Sequence, residues 1–274
     1  MVSEGASAHV NSSRPIEGNR ALTAGGGFGA SLFSSISLAG SATCFNNSAQ
    51  SHGGGGAVSS STLSMDNNAS LASNVAVGES GDAGSGGGGL FVEDGGAAVL
   101  RSGASVRDNR ALEDVGGGVS LDSSTLVLKD SSTVSGNSAL YGGGVRAVGA
   151  AAVTLLDAAA IESNLAFSTN PSSTGPSLGG GGYITDDAAL TLRNASRLSH
   201  NLADGDGDDA YGGGWYAAGH SVVTIDDNAS VSSNRAAYRG GGAYLSGSAT
   251  AVLVGDSVVE SNTAGGGGAR GEPV

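Results

Sequence analysis

TLVLKDSSTVSGNSALYGGGVRAV, residues 125–148, is one full turn of a repeat that runs along almost the whole chain. Its anchor is the tripeptide N-x-A, which recurs at Asn19, Asn47, Asn74, Asn109, Asn137, Asn164, Asn201, Asn234 and Asn262. A run of three or four glycines follows each anchor. From the last glycine of a run to the next anchor the distance is always 18 to 20 residues, whereas the stretch between the Ala and the glycines varies from 0 to 12. A constant frame with one elastic site is how a solenoid behaves: the coils keep their circumference and insertions loop out on one side.

Counting back from each anchor gives the coil. Three residues before it stands an apolar residue in every turn, such as Val134, Ile161 or Val231. Nine and eleven before it stand further apolar residues, Leu128 and Leu126 in the quoted turn. These positions lie two apart, as strands require, and never four. Five before the anchor the residue is Ala or Ser from the second turn on, as in Ser132 and Ala159. Seven before it stand Gly40, Asn67, Asp130, Asp157, Asn194, Asp227 and Gly255, with Ser102 as the exception. Gly, Asn and Asp best tolerate a left-handed backbone, so a tight corner is predicted there. A third strand follows the glycines, as in VRAV at 145–148.

The prediction is an all-β fold, a right-handed single-stranded parallel β-helix of about eight three-strand coils. Stacked about 4.8 Å apart, the coils make a rod roughly 40 Å long. One solenoid spans residues 1–274, with incomplete coils at both ends, which suggests a piece of a longer chain. The anchor asparagines are expected to turn inward and form a ladder of stacked amides. Invariance along a solenoid is structural, which argues against reading them as a binding site.

Composition narrows the function. The chain has 50 glycines, 39% hydrophobic residues, 4% aromatics and a formal net charge of −13, and Lys129 is its one lysine. Such a surface repels a phosphate backbone, so nucleic acid is not an expected partner. The glycine runs precede strands and not helices, which removes a phosphate-cradling reading. Cys44 is the single cysteine, so no internal disulfide forms. No apolar run is long enough for a membrane-spanning helix.

The motifs VSGNSALYGGGV (134–145), VSSNRAAYRGGGA (231–243) and IESNLA (161–166) with GGGGY (179–183) resemble the FxxN and GGA(I/V/L) repeats of chlamydial polymorphic outer-membrane proteins. They are also similar to repeats of secreted β-helix proteins of the pectin-lyase-like fold. Val, Ile or Leu replaces the Phe of the chlamydial motif. The resemblance covers nearly the whole chain and implies a secreted or surface-exposed, adhesin-like protein.

Three groups of residues are candidates for chemistry. Counted from the end of each glycine run, an outward row contains Val58, Phe91, Ser120, Arg146, Ile184, Tyr216 and Tyr244. Phe91, Tyr216 and Tyr244 are the candidate ligand-binding residues, a platform for a sugar ring or a surface protein, unless neighbouring inserts cover them. Two residues further on lie Glu93, Asp122 and Asp186, with Arg146 nearby. Carboxylates on adjacent coils are the catalytic arrangement of β-helix lyases and glycosidases, so Glu93, Asp122 and Arg146 are the catalytic candidates. The insert DGDGDDAY at 204–211 places Asp204, Asp206 and Asp208 in alternation, as in a calcium loop, though it lacks the turn glycine and the closing Glu of an EF-hand. No cofactor other than calcium is suggested. The expected function is a non-catalytic extracellular or cell-surface module, an adhesin-like or structural spacer. The alternative is a polysaccharide-active enzyme, lyase or glycoside hydrolase, of the same fold.

Overall fold

The computed structural model describes residues 2–78, 86–112, 115–167, 175–205 and 209–265. Among them the protein is an all-β parallel β-helix with no helical segment. Four nine-stranded sheets run its length, every strand parallel to its equivalents in the coils before and after. One coil shows the pattern. Val119–Asp122 lies in the first sheet, Thr125–Leu128 in the second, Thr133–Ser135 in the third and Ser138–Ala139 in the fourth. The next coil repeats it in register: Val119 pairs with Val145, Leu126 with Val153, Val134 with Ile161, and Ala139 with Ala166.

There are nine coils, against an expected eight or so, and each carries a fourth strand beyond the three predicted. That strand is the x-Ala of the anchor itself. At two residues it is too short to show an alternation, so periodicity could not reveal it.

The core is a set of ladders. The apolar positions of the second sheet, such as Leu63, Leu126, Val153 and Leu190 with Met65, Leu128, Leu155 and Leu192, are buried one above another. Each such side chain contributes about 1.5–3 kcal/mol by leaving water. The small residues five before the anchor, Ala104, Ser132, Ala159 and Ser196 among them, line the narrow wall of the same core. Cys44 belongs to it as well. Burial pushes its thiol up to about 12, so it packs as a small apolar residue and supplies no thiolate.

Corners use left-handed residues. All eight positions seven before an anchor, Ser102 included, have φ between 47° and 63°. The residue immediately before each anchor is left-handed too, even where it is Ser73, Ser163, His200 or Ser233. The glycine run makes another bend. Gly116 has φ 64°. A Cβ on Gly117 would collide with the carbonyl oxygen of Gly143 and the backbone of Ser138, and one on Gly118 would sit 2.6 Å from the Gly144 oxygen. The chain therefore passes from the fourth sheet to the first in direct backbone contact with its neighbours, and only glycine fits.

The anchors form the expected amide ladder. Each Nδ2 donates to the Oδ1 of the next anchor at 2.9–3.0 Å, from Asn19 to Asn47 through to Asn234 to Asn262. The second Nδ2 proton goes to a backbone carbonyl of the preceding coil, for example from Asn137 to Val106 at 3.0 Å.

Candidate functional site

The outer face of the first sheet carries the side chains that chemistry would use. Strand register defines its central row as Ala57, Phe91, Ser120, Arg146, Tyr183, Tyr216 and Tyr244. Two members of the expected row are thereby corrected. Val58 and Ile184 point into the core and are fully buried. In the runs at 53–56 and 179–182 the fourth glycine is already the first strand residue, since Gly56 pairs with Leu90 and Gly182 with Val145. Counting from the last glycine slips these two strands by one residue, which exchanges their faces. The same slip misplaced Asp186, which sits in the following corner at φ 61°. Tyr183 is the residue that the count missed.

With Tyr183 restored, the rings form a continuous belt. Tyr183 stacks on Tyr216 at 5.5 Å between centroids and 8° between planes, and Tyr216 stacks on Tyr244 at 5.7 Å and 11°. Tyr141, from the elastic stretch of its coil, stacks on Tyr183 at 5.3 Å. Tyr211 leans on Tyr244 at 4.8 Å and meets Tyr238 edge to face at 5.4 Å. The Arg239 guanidinium lies 4.5 Å over the Tyr238 ring and donates to its hydroxyl at 2.7 Å. These are all six tyrosines of the chain, and each is partly exposed.

The stacking decides what the belt presents. Along the ladder each inner ring has both faces covered by its neighbours. Its outward edge, with the positive C–H rim and the hydroxyl, is what a partner meets. Burial raises the Tyr183 phenol above its ordinary range, reinforced by Tyr216 and Tyr141 and opposed by Arg146 and a hydrogen bond with Thr185. Burial likewise raises Tyr211, with Asp209, Tyr238 and Tyr244 adding to it and Arg239 opposing. Both are neutral donors at physiological pH.

The N-terminal half of the face is closed. Phe91 is only 4% exposed and stacks on His52 at 4.6 Å. It lines no open platform, and inserted His52 is its cover. Arg146 is 7% exposed, and its guanidinium donates to Ser120 Oγ at 3.3 Å. Val92 pairs with Leu121, so Glu93 and Asp122 occupy equivalent places on adjacent coils. Burial raises the Glu93 carboxyl, with Asp94 and Asp122 adding to it and a hydrogen bond with Ser59 opposing. Asp122 is exposed and accepts a hydrogen bond from Ser123 Oγ at 3.0 Å. A shallow groove of about 370 Å³ follows the nearby corner, lined by Phe33, Ser34, Ser60, Ser61, Thr62 and Asp94, and neither candidate carboxylate lines it.

Of the calcium candidates, Asp206 and Asp208 lie outside the described residues. Asp204 accepts the backbone N–H of Gly205 at 3.0 Å. Among the described residues no group of three His, Cys, Asp or Glu side chains is placed to hold a metal. Comparison with protein-family models, with curated proteins and with solved structures finds no match to the chain.

Proposed function

We propose that this β-helix is a non-catalytic extracellular or cell-surface module, a rigid spacer that adheres to its partner through the tyrosine belt. The observation that carries this reading is the gathering of all six tyrosines on one face of a rod whose other outward rows are mostly small or polar. Half-exposed tyrosines supply large contact area with a polar tip and little side-chain entropy to lose, which suits a binding face. The chlamydial-type repeat motifs, in which related β-helices serve at surfaces, support the same reading. The experiment is adhesion of the purified chain to host or bacterial surfaces, with Tyr216→Ala beside it. Equal adhesion by both proteins would overturn the assignment to the belt.

One observation favours the enzyme reading. Glu93, whose carboxyl is raised by burial, stands on the coil adjacent to Asp122 at the equivalent place, the two-carboxylate arrangement on which a glycosidase relies. A lyase and hydrolase screen with Glu93→Gln and Asp122→Asn decides it. Turnover that disappears in either variant would replace the adhesive reading.

A further inference from the structure

Resting on the belt as the binding face, we propose that its ligand is a neutral, extended glycan lying parallel to the rod axis, with one sugar set against each of Tyr141, Tyr183, Tyr216 and Tyr244. The spacing of the rings carries this. They are separated by 5.3, 5.5 and 5.7 Å. An extended peptide advances about 3.3 Å per residue and a polyproline helix about 3.1 Å, so neither stays in step with successive rings. A chain of equatorially linked pyranoses advances by about the length of one sugar ring per residue, close to the coil spacing of about 4.8 Å. Such a chain meets an equivalent phenol at each step.

The chemistry of the exposed edges agrees. Inner rings cannot receive a sugar on their faces, because Tyr183 and Tyr244 cover the two faces of Tyr216. What remains outward is a row of C–H rims and hydroxyls, complementary to the oxygens that line the edge of a glycan. Among the described residues the phenol oxygens of Tyr216 and Tyr244 have no hydrogen-bond partner within the protein. Two donors are thus free to engage a ligand. Asp209 acts on Tyr211, and although Arg146 lies by Tyr183 and Arg239 by Tyr238, the chain as a whole carries a net charge of −13, which disfavours uronates and sulfated sugars.

The test is calorimetric titration of the full chain with neutral β-linked hexose oligomers of increasing length, and with matched uronate oligomers. Affinity should rise with each sugar up to the tetramer and then level, one step for each of the stacked tyrosines. Tyr216→Phe, which keeps the stack and removes one hydroxyl, should weaken binding by about fivefold. Tyr216→Ala should abolish the length dependence beyond the dimer. Tighter binding of the uronates, or affinity in Tyr216→Phe equal to the parent, would overturn the proposal. So would an absence of binding to any neutral oligomer, and if surface adhesion were still lost in Tyr216→Ala, the adhesive reading would survive with a partner other than glycan.

Discussion

The Oδ1 of Asn164 accepts two hydrogen bonds from Asn137, one from Nδ2 at 2.9 Å and one from the backbone N–H at 3.0 Å. The Nδ2 of Asn164 in turn donates to Asn201 Oδ1 and to the Val134 carbonyl, each at 3.0 Å. Every polar valence of the buried amide is used, and only Asn has two donors and an acceptor on so short a stem. Asn137→Asp removes both donors and buries a carboxylate among carbonyl oxygens. We expect it to lose about 3 kcal/mol or more. Denaturant unfolding at neutral pH checks this, and a midpoint equal to the parent's would show the ladder to be dispensable.

The small-residue row offers the opposite case. The hydroxyls of Ser132 and Ser196 are buried without a hydrogen-bond partner, where most other coils have Ala. Ser132→Ala removes an unsatisfied group and leaves the packing unchanged. It should stabilise the protein by about 1 kcal/mol, read as a raised unfolding midpoint with the same denaturant slope.

What was legible in the sequence was whatever repeated. Val134, Leu126 and Asn137 recur in a fixed frame, so their columns, their burial and the amide ladder could be read directly. The corner seven before each anchor was visible because Gly, Asn and Asp announce a left-handed backbone. The corner just before each anchor was not, because Ser73 and His200 give no such signal. The belt was half visible. Tyr216 and Tyr244 lie in the frame. Tyr141, Tyr211 and Tyr238 lie in the elastic stretch, where counting carries no register, and Tyr183 was displaced by one extra glycine. The inward parity of Val58 and Ile184, both apolar like Val92 and Leu121, was the signal that would have corrected the slip.

One corner departs from the chemistry of the others. Leu32 and Phe33 have φ of 56° and 61° and are 54% and 84% exposed. Later coils meet paired left-handed positions with Asp94-Gly95, Ser102-Gly103 or Asn67-Asn68. A bulky side chain in this conformation costs about 1–3 kcal/mol. The double change Leu32→Asn with Phe33→Gly restores residues suited to such a turn and should raise stability by about 1–2 kcal/mol. Thermal unfolding would show it, and a lowered midpoint would mean that the exposed pair makes contacts worth more than its strain.

Glu93 makes stability depend on pH in a direction opposite to that of most carboxylates. Its folded-state affinity for a proton is raised, first by burial, then by the charges of Asp94 and Asp122. Between the ordinary carboxylate range and the raised value, the folded chain binds more protons at this site than the unfolded chain does. By linkage the contribution of Glu93 is least unfavourable in acid and becomes a penalty as pH rises through that window. Glu93→Gln removes the penalty. The variant should therefore be more stable than the parent at neutral pH, with the difference vanishing below the ordinary carboxylate range. Asp122→Asn should shift the Glu93 titration downward, because it removes one of the two repelling charges. Unfolding midpoints measured across acid to neutral pH, together with a carboxyl titration followed by NMR, test both statements. A Glu93→Gln advantage that is the same at every pH would trace to the size or hydrogen bonding of the amide, and the coupling between adjacent coils would then have to be abandoned.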